Sequence, residues 1–164
     1  MTAPFRLEPL GPHHDRKGFA CGVEALDQYF AERVTQDMRR RLTACYVAIE
    51  AATSRVAGYY TLAAAGIPLG DLPQSIVKRL PRYPSIPVAR LGRLAVDQDY
   101  RGRRLGSAML WDAITRAARS EVAVFALVVD AKDAQAEAFY RHQGFSSLGL
   151  VPRQLFLPLK DVAK

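Results

Sequence analysis

Apolar and polar positions along the chain switch between a two-residue and a three-to-four-residue period, and the switches mark out the elements. Phe5–Leu10 reads as a short first strand. From Gly22 to Arg41 the apolar residues Val23, Leu26, Phe30, Val34 and Met38 recur three and four apart, which predicts one helix with a single buried stripe. Thr43–Glu50 and Val56–Ala64 read as two strands joined by the polar turn AATSR, an antiparallel hairpin. Leu72–Leu80 predicts a short helix between Asp71 and Pro81, and the prolines of PRYPSIPVAR predict an extended surface connection. Ile86–Asp97 is the next strand, Gly106–Ser120 a helix, and the continuous apolar run Val122–Asp130 (VAVFALVVD) a buried strand. Asp133–Gln143 reads as a helix stopped by Gly144, and Phe145–Leu150 and Gln154–Leu159 as closing strands. Such mixing predicts an α/β or α+β layer, antiparallel at its start, with a crossover near the middle.

At 164 residues the chain is read as one domain, residues 1–164, with the apolar and charged shares of a soluble globular protein. No run approaches the ~20 apolar residues of a membrane span, and Met1–Leu10 lacks the apolar core of a leader. Cys21 and Cys45 are too few for a disulfide framework, and reduced thiols in a cytoplasmic protein are expected. Along the chain no His, Cys or Asp grouping has metal-site spacing, so no metal is expected.

The formal charge of +7 is unevenly spread. Arg39, Arg40 and Arg41 close the first helix, and Lys78, Arg79, Arg82, Arg90 and Arg93 fall in an acid-free stretch from Leu72 to Val96. Charge alone is compatible with a solvated surface or with a polyanionic partner. A sharper feature is LAVDQDYRGRRLGSAML, Leu94–Leu110, where an apolar strand stops at an aspartate, a glycine turn carries arginines, and an amphipathic helix begins. The first amides of a helix lack internal partners and sit at the positive end of its dipole, so the corner suits a pyrophosphate. It is neither a Walker A loop nor a GxGxxG fingerprint.

RGRRLG, Arg101–Gly106, resembles the Arg/Gln-x-x-Gly-x-Gly/Ala hallmark of the GCN5-related N-acetyltransferase (GNAT) family, with Arg104 where the first motif glycine belongs. A frame shifted by two, Arg103-x-x-Gly106-x-Ala108, also matches; the unshifted frame keeps Gly106 at the helix start. FYRHQGF, Phe139–Phe145, resembles the family's closing tyrosine-x-x-x-Gly-Phe signature. FACGVEALDQYF (Phe19–Phe30), VAGYYTLA (Val56–Ala63) and LGRLAVD (Leu91–Asp97) are similar to the acetyltransferase toxins of bacterial type II toxin–antitoxin modules. The resemblance implies a mixed, mostly antiparallel sheet flanked by helices and splayed between its fourth and fifth strands. It implies acetyl-CoA as co-substrate, aminoacyl-tRNA as acceptor, a ribbon-helix-helix antitoxin as partner, and a homodimer.

Under that resemblance Leu94, Ala95 and Val96 hold the pantetheine arm through their backbones, and Arg101, Gly102, Arg103, Arg104, Leu105, Gly106 and Ser107 form the pyrophosphate corner. An amide donor needs no particular side chain, so Arg104 is tolerable there if its backbone stays at negative φ. Tyr140 is the expected general acid for the departing thiolate; a tyrosine that merely anchors its helix is the alternative. An α-amine has a pKa near 8, so a strong general base is not required. His13 and His14 fall in a loop, and His142 on a helix surface. Asp97 and Asp99 read as turn-formers rather than ligands, and direct transfer gives the cysteines no acyl-carrying role. The eight basic residues named above are assigned to the acceptor tRNA. Two rival functions stay open: an acetyltransferase for a small-molecule or protein amine, and a non-catalytic nucleic-acid or CoA-binding module.

Overall fold

A computed structural model describes residues 4–160 and Val162. Met1–Ala3, the beginning of the stretch read for a leader, lie outside the described residues. The strands are β1 (Phe5–Pro9), β2 (Ala44–Glu50), β3 (Val56–Pro68), β4 (Ser85–Val96), β5 (Ala126–Asp130), β6 (Ser146–Ser147) and β7 (Gln154–Pro158). The helices are α1 (Glu24–Glu32), α2 (Val34–Arg39), α3 (Gln74–Val77), α4 (Leu105–Ala118) and α5 (Ala134–His142). One seven-stranded mixed sheet has the order β1-β2-β3-β4-β5-β7-β6. Pairs β1–β2, β2–β3, β5–β7 and β6–β7 are antiparallel, and β4–β5 is parallel.

The chain groups into two compact units. The first comprises the chain up to Ala63 with Gly92–Ala113. Its core joins Phe30, Val34, Val47, Ile49 and Tyr59, all nearly inaccessible. Phe30 stacks on Tyr59 with ring centroids 4.3 Å apart, and Phe19 meets both edge-on. The second comprises Ala64–Leu91 with the chain from Ile114, and has its own core of Ile67, Ile86, Val88, Val128 and Phe156.

Several expected elements differ: the helix expected over Leu72–Leu80 spans only Gln74–Val77, the strand Val56–Ala64 runs on to Pro68, and the end of the expected surface connection PRYPSIPVAR is already β4 from Ser85, with Ile86 and Val88 buried. The long first helix is two, broken at Arg33, whose φ of −120° leaves the helical range. Successive four-residue spacings drift by about 40° around a straight helix, and the break absorbs that drift, keeping both Phe30 and Val34 fully buried. The run Val122–Asp130 becomes a strand only from Ala126, because the registers with β4 and β7 both begin there; Val122 is 75% exposed. Phe145–Leu150 contributes only Ser146–Ser147, before Gly149 turns the chain at φ +101°.

The β4–β5 register runs from Val88↔Ala126 to Leu91↔Val129. β5 ends one residue later at Asp130, whereas β4 continues to Val96. Among the described residues no helix is long and apolar enough to cross a membrane.

Candidate functional site

In the first unit β4 ends at Val96 and Asp97 opens a tight turn. Asp97 is 2% exposed and its carboxylate is fully occupied. Oδ1 accepts from the Asp99 amide (2.9 Å) and from Arg55 Nη2 (3.4 Å), and Oδ2 accepts from the Ala20 amide (3.0 Å). Asp99 holds Arg55 at 2.7 Å. Both aspartates thus build the turn, as their position suggested. The Gln98 amide donates to the Ala20 carbonyl (2.9 Å), and Arg101 Nη2 donates to the Cys21 carbonyl (2.5 Å). Tyr100, 3% exposed, donates its hydroxyl to Glu50 (2.8 Å), with the Arg55 and Arg103 guanidinium groups over its ring. Hydrogen bonds from Thr53 and Tyr100 hold the Glu50 carboxyl below the usual carboxylate range. Arg103 lies 3.7 Å from Glu50.

The three arginines of the turn are therefore unequal. Arg101 and Arg103 spend their guanidinium groups on the protein, whereas the exposed Arg104 guanidinium has no hydrogen-bond or ionic partner among the described residues. The condition of negative φ at Arg104 is not met: its φ is +57°, in the left-handed region that glycine enters without penalty. A glycine at this position would hold the same conformation without strain. Gly102 shares it, at φ +80°. Leu105, 3% exposed, anchors the start of α4, and the Arg104 carbonyl accepts the Ala108 amide (3.2 Å). The amides of the opening turn of such a helix have no intrahelical acceptor, which gives the corner its anion-binding character.

Tyr140 lies in the second unit, on the last turn of α5. Asp133 caps that helix by accepting the Ala136 amide at 2.8 Å. Gly144, at φ +104°, turns the chain back, so the Phe145 amide reaches the Tyr140 carbonyl (3.1 Å) and the buried Phe145 ring lies 5.6 Å from the Tyr140 ring. Phe139 meets that ring edge-on at 5.2 Å. The half-buried phenol makes no side-chain hydrogen bond among the described residues, unlike Tyr29, Tyr59, Tyr60 and Tyr100, whose hydroxyls donate to Asp37, the Leu26 carbonyl, Asp112 and Glu50. Burial pushes the Tyr140 phenol up to about 12, so it keeps its proton at neutral pH.

The basic residues assigned to nucleic acid divide likewise. Arg39, Arg40 and Arg41 are exposed at the end of α2, and Lys78, Arg79 and Arg82 are exposed after α3. Arg90 pairs with Asp130, and Arg93 stacks 3.4 Å above the Tyr29 ring. The cysteines are buried and their thiols are raised by desolvation, Cys45 to about 12, so neither offers a thiolate nucleophile. His142 is exposed on α5.

Sequence reasoning missed two groups. An open groove of about 530 Å³ in the first unit is walled by Ala20, Gly22 and Gln98 and rimmed by Glu24, Asp27 and Glu32. The helical spacing of those acids was readable, but not the fold of Phe19–Gly22 against the 97–101 turn. Glu8, His13 and His14 also converge, their ligand atoms all within 4.8 Å of one another. That revises the reading of no metal-like grouping: the signal, a glutamate five and six residues ahead of paired histidines, depends on the Gly11-Pro12 turn.

The family model for the acetyltransferase (GNAT) family matches residues 20–145. A tRNA-acetylating toxin of Mycobacterium tuberculosis is 34% identical over 98% of this chain and 93% of its own length. A probable toxin TacT of Sinorhizobium fredii is 29% identical over 95% of this chain and 92% of its own. Among solved structures, AtaT complexed with acetyl-methionyl-tRNAfMet superposes with a TM-score of 0.89 at 28% identity, covering 96% of each chain. AtaTR bound with acetyl-CoA gives a TM-score of 0.82 at 27% identity, over 97% of this chain and 96% of that one. A tyrosine-to-phenylalanine mutant of AtaT bound to the C-terminus of the antitoxin AtaR gives 0.81 at 25% identity, over 98% and 96%.

Proposed function

Because the chain belongs to the acetyltransferase (GNAT) family, we propose that it transfers the acetyl group of acetyl-CoA to the α-amino group of an aminoacyl-tRNA, as the toxin of a type II toxin–antitoxin module that blocks translation. The observation that carries the reaction is the Tyr140 hydroxyl, half-buried, neutral and bonded to nothing among the described residues. The choice of acceptor is supported by the likeness to a tRNA-acetylating toxin over nearly the whole chain.

The roles follow from the residues. The amides of Arg104, Leu105, Gly106 and Ser107 bind the diphosphate, with Gly102 permitting close approach and the Arg104 guanidinium adding charge. Arg101 and Arg103 act by fixing the turn. The backbones of Leu94, Ala95 and Val96 orient the pantetheine arm. The neutral α-amine attacks the thioester carbonyl, the carbon–sulfur bond breaks, and Tyr140 Oη gives its proton to the departing thiolate. The new amide nitrogen loses its proton to solvent, and Tyr140 regains one. A free α-amine titrates near 8 against about 10.4 for lysine, so a substantial neutral fraction exists without a dedicated base. No metal takes part. Arg39, Arg40, Arg41, Lys78, Arg79 and Arg82 hold the acceptor stem, while Arg90 and Arg93 remain with their protein partners. Residues 1–164 act as one catalytic domain, cytoplasmic and homodimeric, neutralised by a ribbon-helix-helix antitoxin.

The acid-rimmed groove favours a second reading, a small cationic amine as acceptor. Incubating the protein with labelled acetyl-CoA and charged tRNA, deacylated tRNA, polyamines or lysine peptides separates the two. Label confined to charged tRNA supports the first reading, and label on polyamines replaces it with the second.

A further inference from the structure

Glu8 stands near the end of β1, and the turn from Gly11 brings His13 and His14 back over it. One carboxylate oxygen, Oε2, lies 2.8 Å from His14 Nε2 and 3.6 Å from His13 Nε2. The other, Oε1, accepts Arg6 Nε at 3.1 Å, which fixes the plane of the group and leaves Oε2 to the histidines. The imidazoles lie against each other with centroids 4.0 Å apart, so both Nε2 atoms face the same oxygen. The His14 side chain is 4% exposed and rigidly placed, whereas that of His13 is 70% exposed and leaves the open side to water.

We propose that Glu8, His13 and His14 form a binding site for a borderline divalent transition-metal ion, with Zn2+ the type, distinct from the acyl-transfer chemistry. Two imidazole nitrogens and one carboxylate oxygen suit zinc, nickel or copper rather than the all-oxygen sites of calcium and magnesium. Metal–ligand bonds of roughly 2.0–2.1 Å at tetrahedral angles place ligand atoms about 3.4 Å apart. The observed 2.8 and 3.6 Å bracket that value, so the ion is admitted by shifts of under about 1 Å, with water completing the shell.

A proton now occupies part of this position. The Gly11 amide donates to His14 Nδ1 at 2.9 Å, so Nε2 carries the imidazole hydrogen and gives it to Glu8. On metal binding Nε2 becomes the ligand, Nδ1 takes the hydrogen, and the Gly11 amide is released to water. Gly11 is half-exposed, so its N–H can be solvated at modest cost. The Arg6 contact supplies the outer-shell partner that orients a ligating carboxylate. The bound ion would clip the 11–14 turn to β1, a strand at the edge of the sheet.

The test is calorimetric titration of zinc sulfate into the untagged full chain, repeated with His13→Ala, Glu8→Gln and, as control, the exposed His142→Ala. The expected result is one saturable equivalent at micromolar affinity, weakened at least tenfold by His13→Ala and by Glu8→Gln and unchanged by His142→Ala. An amide NMR spectrum should show the Gly11 resonance moving with saturation. Because His13 is largely exposed, its replacement leaves the fold intact, as circular dichroism checks. Absence of uptake by the wild-type chain, or uptake that His13→Ala leaves untouched, overturns the proposal.

Discussion

The turn at residues 97–104 and the end of α5 are held in place by opposite means. In the turn nearly every polar group has a protein partner: Asp97 takes three donors, Arg101 a carbonyl, and Tyr100 a carboxylate. At the end of α5 the aromatic rings of Phe139 and Phe145 position Tyr140 without engaging its hydroxyl. Saturated polar groups give a rigid backbone whose amides can meet a ligand, at the cost of removing the side chains from that task. An aromatic cradle does the reverse, fixing a ring and leaving one polar atom for substrate. Arg104 belongs with Tyr140 in this respect, since it is the arginine of the turn that keeps an uncommitted group among the described residues.

The largest expected effect is at the uncommitted hydroxyl. Tyr140→Phe should lower kcat by about 100- to 1,000-fold, the usual worth of general acid catalysis, with acetyl-CoA affinity unchanged in calorimetry. Equal loss in both would assign the residue to binding. The pH profile sharpens this. With an acceptor amine titrating near 8 and the phenol at about 12, kcat/KM should rise with pH through the amine's ionisation. It should then stay level to about pH 10, because the acid form of Tyr140 persists there. A descending limb between pH 8 and 10 would show that a different acid gives the proton.

Much of this contrast was readable in the chain. Gly144 and Phe145 follow Tyr140 at the offsets a left-handed helix stop requires, so the cradle is local and its sequence shows it. Gly102 and the strand-to-helix corner are local too. What stayed hidden was contact between distant segments. Arg101 looks like a phosphate ligand until Cys21, 80 residues away, presents its carbonyl. Arg93 and Arg90 count as surface charge until Tyr29 and Asp130 are folded beside them. The break at Arg33 is invisible to a count of spacings, because the apolar stripe continues through it.

Reversing Lys78, Arg79 and Arg82 to glutamate comes next in size. Each lost phosphate contact flattens the salt dependence of binding by roughly one in slope, and tRNA acetylation should fall by about tenfold or more at 150 mM salt. Acetyl-CoA affinity should hold. Parallel losses in filter binding and coenzyme titration would remove the assigned division between the two basic regions.

Within the stitched turn, Asp97→Ala leaves the Ala20 and Asp99 amides without their acceptor and Arg55 with one contact fewer. Urea denaturation should show a loss of about 2–4 kcal/mol, against a shift within about 0.5 kcal/mol for an exposed site such as Lys78. Arg104→Gly should act in the other direction, stabilising the fold by about 0.5–1 kcal/mol through relief of its left-handed backbone. The same change should weaken acetyl-CoA severalfold by removing the uncommitted guanidinium. Tighter coenzyme binding would show that this side chain contributes nothing.

The most direct test is a crystal structure with acetyl-CoA bound. The diphosphate should rest on the amides of Arg104, Leu105, Gly106 and Ser107, with Tyr140 Oη within hydrogen-bond reach of the thioester sulfur. A diphosphate bound elsewhere, or a Tyr140 ring turned away from the sulfur, would contradict the account.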